Sequence, residues 1–154
     1  MKFKIMSRDK ARRYSYTKIK DNTIIISITD IGAQPVKFTP NPKITAALHI
    51  QFDDVNLGEE NSITVSNANE ILSFVNKNLK DTECIIVQCE AGISRSSGIC
   101  LALMFILKEN DTDIFENEDY CPNLYCYRTI LNSYFNGNKT FKNIKEYRIK
   151  QFNK

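Results

Sequence analysis

A cysteine and an arginine frame one short segment of this chain, Cys89-Glu90-Ala91-Gly92-Ile93-Ser94-Arg95-Ser96. Cysteine is a poor nucleophile as a thiol and a good one as a thiolate, a form favoured by a helix N-terminus or a neighbouring cation. Arginine offers a planar fork that holds two oxygens of a phosphate, which lysine cannot do. Gly92 permits the positive φ or close approach that a tight loop between them needs. The amides of Glu90, Ala91, Gly92, Ile93, Ser94 and Arg95 are the candidate donors to a bound phosphate, and the Ser96 hydroxyl is placed to donate to the Cys89 sulfur. A loop that stabilises a thiolate also binds a phosphate dianion, because both are anions in one cradle. The implied chemistry is attack of a thiolate on phosphorus. There is no GxxxxGK[ST] pattern, so nucleotide binding by that route is unsupported.

Such a transfer needs an acid for the leaving oxygen. Asp53 and Asp54, directly after an apolar run, are the best candidates. Adjacent residues point in different directions, so one of the two is expected to reach the site. Asp30 and Glu90 are poorer candidates; Glu90 lies inside the loop, and pointing inward it would oppose both thiolate and phosphate.

The elements that must position these groups are legible in outline. Cys84–Gln88 (CIIVQ) reads as a buried strand entering the loop, and Ile99–Leu107, apolar on every side, as a buried helix leaving it. A strand, a loop and a helix N-terminus form a general anion-binding device. Lys2–Met6 alternates weakly as a first strand, Ser7 reads as an N-cap, and Arg8 to about Tyr16 as a short basic helix. Thr23–Ile28 and Ala46–Phe52 read as strands. Three prolines (Pro35, Pro40, Pro42) make 32–43 a loop, tacked down by Val36 and Phe38. Asn56–Asn61 reads as loop. Ala68, Ile71, Leu72, Val75 and Leu79 have the spacing of an amphipathic helix over about 66–78. Glu109–Asp119 holds six carboxylates and reads as a solvated loop, without the glycine and closing glutamate of a calcium loop. A last helix opens at Pro122-Asn123, with Tyr127, Ile130, Leu131, Tyr134 and Phe135 inward and Gly137 ending it. Strands alternating with helices predict one α/β domain over 1–154, with a mainly parallel sheet and helices on both faces. Its core spans about 22–136, flanked by a basic N-terminal segment (1–20) and a basic tail (137–154). Ligands in such sheets bind beyond the carboxyl ends of strands, which puts Asp53-Asp54 and Cys89 on one rim.

With 154 residues, 42% apolar and 25% charged, the composition is that of a globular domain. No run approaches a membrane span, and the start lacks a signal-peptide h-region, so a cytoplasmic protein is expected. Five cysteines without CxxC spacing argue against a disulfide framework or a zinc site, and the single His49 excludes mechanisms needing two histidines. The net charge of +3 is uneven: basic at both ends, acidic between. Basic ends suit an anionic partner such as nucleic acid or a phosphorylated surface, although such runs are more often solvated termini.

The segment Cys89 to Ser96 resembles the signature of the cysteine-dependent protein tyrosine phosphatase superfamily: cysteine, five residues, arginine, then serine or threonine. EAGISRSSG (90–98) is similar to the dual-specificity branch and its small bacterial and phage relatives. IQFDD (50–54) resembles that branch's general-acid loop, in which the acid falls four residues after the aliphatic strand residue Ile50; the resemblance selects Asp54 over Asp53. YCPN (120–123) resembles the branch's Pro-Asn segment. The resemblance covers about residues 46–135. It implies a phosphatase acting on phosphotyrosine, and on phosphoserine or phosphothreonine, through a cysteinyl-phosphate, with no metal or cofactor. Cys89 would be nucleophile, Arg95 phosphate clamp, Ser96 helper and Asp54 acid. The family usually carries histidine before the cysteine; here it is Gln88, which hydrogen bonds but carries no charge. The implied partner is a phosphorylated protein, with RNA or a phosphoinositide also compatible with a phosphate cradle. Two other readings share the loop: a catalytically weak phosphate-binding module, and a rhodanese-like sulfurtransferase, which needs no acid loop.

Overall fold

The computed structural model describes residues 1–55 and 59–135. Within them four strands, β1 (Lys2–Met6), β2 (Thr23–Thr29), β3 (Ile44–Gln51) and β4 (Cys84–Gln88), form one sheet in the order β1-β4-β2-β3. Every pairing is parallel, so the sheet is wholly rather than mainly parallel. The helices are α1 (Arg8–Tyr14), α2 (Val65–Asn78), α3 (Arg95–Ile106), α4 (Thr112–Glu116) and α5 (Leu124–Phe135). Among the described residues no helix is long and apolar enough to cross a membrane.

The two inner strands are the two continuous apolar runs. All seven residues of β2 and all five of β4 are buried, as both faces of an inner parallel strand require. β3 is an edge, and its burial alternates along most of its length. One face of the sheet carries α1, whose Ala11 packs with Met6, Ile25, Cys84 and Ile86. On the other face Ile5, Ile24, Ile26, Ile28, Ile85 and Val87 join the main core with α2, α3 and α5. Phe38, in the proline-rich loop, stacks on His49 at 5.8 Å between ring centroids, and Val36 is buried.

Helix α3 starts at Arg95, before the apolar run, and every residue from Arg95 to Met104 is buried. Helix α1 is capped by Ser7, whose side chain accepts from the Lys10 amide. Helix α2 begins at Val65 under a capping box of Thr64 and Asn67.

Two expectations need correction. The acidic stretch is not simply a solvated loop: Thr112–Glu116 forms α4, and Asp111 ahead of it is buried. Tyr134 does not point inward; it is 49% exposed, while Tyr127, Ile130 and Leu131 of the same helix are buried. Residues 56–58 of the expected loop, the helix stop at Gly137 and the basic tail 137–154 lie outside the described residues.

Candidate active site

Each of the four strands delivers a piece of the site at its carboxyl end. Strand β4 delivers Cys89, which is 2% exposed. Its Sγ lies 3.0 Å from Ser96 Oγ, in the first turn of α3. The Cys89 backbone is held on both sides: its amide donates to the Met6 carbonyl (3.3 Å), and its carbonyl accepts from Gln88 Nε2 (2.9 Å). Gln88 accepts in turn from Ser27 Oγ (2.5 Å), its register partner on β2. Ser27 and Gln88 are wholly buried, so this neutral pair occupies the position under the cysteine.

The loop from Glu90 to Ser94 turns its carbonyls into the protein. The Glu90 carbonyl accepts from the Arg8 amide, that of Ile93 from the Cys121 amide and Ser97 Oγ, and that of Ser94 from the amides of Asn123 and Gly98. The amides of residues 90–97 meet no acceptor among the described residues. Part of that set is the ordinary orphaned first turn of a helix; the rest belongs to the loop itself. Unmatched donors in a loop that begins at a buried sulfur can serve an anionic oxygen. Gly92 has φ +70°, and a Cβ there would lie 2.6 Å from the Ser7 amide nitrogen, so only glycine fits between loop and β1.

Arg95 points back under the loop, with its side chain 5% exposed. Its Nη1 donates to Asp30 Oδ1 and to the Phe52 carbonyl, both at 2.7 Å. Those two contacts come from the ends of β2 and β3. Nε is buried without a partner, and Nη2 makes no hydrogen bond among the described residues. One edge of the fork is thus anchored, and the three N–H groups on Nε and Nη2 remain for oxygens.

The two candidate acids separate. Asp53 Oδ1 accepts from the Ile31 amide (3.0 Å) and Oδ2 from Asn61 Nδ2 (3.4 Å), which ties together the loops after β2 and β3. Asp54 reaches the cysteine loop: its Oδ1 accepts from Ser94 Oγ and from Asn123 Nδ2, both at 2.9 Å. Its Oδ2 has no partner among the described residues. Of the residues expected at the site, Glu90, Ala91 and Ile93 direct exposed side chains away from the body, so their backbone is what remains for a ligand. Three contributors were not anticipated: Asp30 as the arginine's partner, Asn123 as a holder of Asp54, and Ser27 under Gln88. The motif YCPN was the available sign for Asn123; nothing local marks the other two.

The remaining buried thiols are held protonated by their surroundings. Burial raises the pKa of Cys84 and Cys100, and pushes that of Cys126 up to about 12. Cys121 is exposed, and all five cysteines are free. No protein-family model matches the chain, and no curated protein matches it.

Proposed function

We propose that this chain is a cysteine-dependent phosphatase that hydrolyses phosphate monoesters, phosphotyrosine first and phosphoserine or phosphothreonine alongside it, through a cysteinyl-phosphate. The observation that carries the reading is the meeting of three features at one point. A buried cysteine has a serine hydroxyl 3.0 Å from its sulfur, the surrounding loop has unmatched amides, and a buried arginine keeps Nε without a partner. The resemblance of Cys89–Ser96 to the phosphatase signature supports the same reading.

In the first step the Cys89 sulfur forms a bond to phosphorus as the bond to the leaving oxygen breaks. Arg95 and the loop amides hold the three non-bridging oxygens, where charge is stabilised in place without reorganisation. Asp54 gives the leaving oxygen its proton. In the second step Asp54 takes a proton from water, whose oxygen attacks phosphorus. The sulfur departs as a thiolate, assisted by the Ser96 hydroxyl.

The test is turnover of a small aryl phosphate. Wild-type protein should be active in the presence of a chelator and inhibited by orthovanadate. Cys89→Ser should be inactive while still binding vanadate or phosphate. Full activity in Cys89→Ser would sink the assignment. Anion binding by the wild type with no turnover would leave a phosphate-binding module instead.

A further inference from the structure

Strand β1 lies at the edge of the sheet, and its hydrogen bonding is one-sided. The Lys2 amide donates to Glu83 and the Met6 carbonyl accepts from Cys89, so the even-numbered residues face β4. Backbone direction alternates along a strand, which turns the N–H and C=O groups of Phe3 and Ile5 outward. These outward groups find no backbone partner among the described residues. Phe3 and Ile5 are among the residues that line a groove of about 380 Å³ along this edge.

The groove has two unlike walls. Lys4, Lys10 and Tyr14 make the wall on the α1 face; Lys4 Nζ donates to Tyr14 Oη at 3.2 Å, and neither lysine is in an ion pair among the described residues. Ile114 and Tyr120 make the wall on the opposite face, and both also pack against the main core. Carboxylates flank that second wall in sequence, at Asp113 and Asp119.

Both walls lead to the cysteine loop. At the end of β1, Met6 and Ser7 lie against Gly92, and Arg8 is bonded to Glu90. After Tyr120, Cys121 is bonded to Ile93. A chain lying along β1 therefore arrives at the proposed phosphate site.

We infer that the open edge of β1 binds, as an added strand, the extended segment of a phosphorylated protein substrate next to its phosphorylated residue. This rests on the phosphatase reading for what happens at the end of the groove. The segment's backbone pairs with Phe3 and Ile5. Its side chains alternate between the two walls. Those on the α1 side meet Lys4 and Lys10 and are acidic. Those on the other side meet Ile114 and Tyr120 and are apolar, since the flanking carboxylates there disfavour acid. A basic occupant, such as the chain's own tail with its six Lys/Arg, lacks that complementarity.

The experiment compares short phosphotyrosine peptides with wild-type protein and with the double variant Lys4→Glu, Lys10→Glu. The reference peptide alternates acidic and apolar residues beside the phosphotyrosine. Two further peptides carry backbone N-methyl groups, one set on each alternate series of amides. Methylation of one series should lower kcat/KM about tenfold, and methylation of the other should leave it unchanged, because only one series faces β1. The double variant should lose about tenfold in kcat/KM on the reference peptide and keep wild-type turnover of the aryl phosphate, which also reports that it is folded. Indifference to methylation in both series overturns the strand pairing. An unchanged peptide preference in the double variant overturns the assignment of the acidic face. If the wild type turns over no aryl phosphate, the phosphatase reading fails by itself. The groove is then tested by fluorescence anisotropy with labelled phosphonate versions of the same peptides: series-dependent loss of binding supports the added strand, and indifference overturns it.

Discussion

Asp53 and Asp54 are chain neighbours with unlike tasks. Asp53 spends both oxygens on two loops, whereas Asp54 spends one on Ser94 and Asn123, and its other oxygen has no partner among the described residues. Asp54→Asn should therefore lower kcat on an aryl phosphate by roughly 10²–10⁴-fold, the usual worth of a positioned proton donor, with little change in thermal midpoint. Asp53→Asn should keep kcat within a few-fold and lose about 1 kcal/mol of stability, the worth of a weakened hydrogen bond. Steady-state kinetics with thermal melts of both variants checks this, and the reverse pattern would exchange the two roles. At this scale the nearness of Cys89, Gly92, Arg95 and Ser96 was legible from the sequence because it is local: one loop and the helix turn after it hold all four. Asp30, Ser94 and Asn123 as partners were not. The Arg95–Asp30, Ser94–Asp54 and Asn123–Asp54 contacts span 65, 40 and 69 residues, and sequence spacing carries no information about which loop tips meet.

Helix α3 is the element on which the site rests, and its fit against α5 is tight at Gly98. A Cβ at Gly98 would strike the carbonyl oxygen of Asn123, the residue that holds Asp54. Alanine is favoured over glycine in a helix interior by up to about 1 kcal/mol. Overpacking costs about 1–3 kcal/mol, and here the obstacle is backbone that cannot rotate aside. The clash should win: Gly98→Ala is expected to lower the thermal midpoint and also kcat, because displacing Asn123 displaces Asp54, the proposed acid. A thermal melt and an aryl phosphate assay read the two effects, and a more stable, fully active variant would mean the α3–α5 contact simply relaxes. The buried elements were plain in the sequence. β2, β4 and α3 are apolar on all sides, and such runs have few alternatives. Helix α4 was hidden because a stretch with six carboxylates looks solvated, and composition does not show that Asp111 turns inward ahead of it. The apolar run from Ile99 leaves out the first turn of α3, because Arg95, Ser96 and Ser97 are polar and nevertheless buried.

Across the molecule, the carboxyl ends of all four parallel strands converge on one set of unmatched donors: β1 at Met6, β2 at Asp30, β3 at Phe52 and β4 at Cys89. On the phosphatase reading, an anion bound there would satisfy the loop amides and Arg95 together, and it would bind only the folded chain. Orthovanadate at a hundredfold excess over its Kd should stabilise the fold by about 2.7 kcal/mol, a rise of roughly 5–10 °C in thermal midpoint. Arg95→Lys, which keeps the charge and loses the fork, should shrink that rise; an equal rise would show that the arginine contributes only charge. The way the loop is fastened has one more consequence. The carbonyls of Glu90, Ile93 and Ser94 are tied to the body, while the side chains of Glu90, Ala91 and Ile93 stand exposed. On the phosphatase reading, phosphate is held by the main chain, and the outer surface belongs to the side chains. If the chain is a phosphatase, randomising those three positions, with Gly92 left alone, should change which phosphoester is accepted and leave the cradle outside the search.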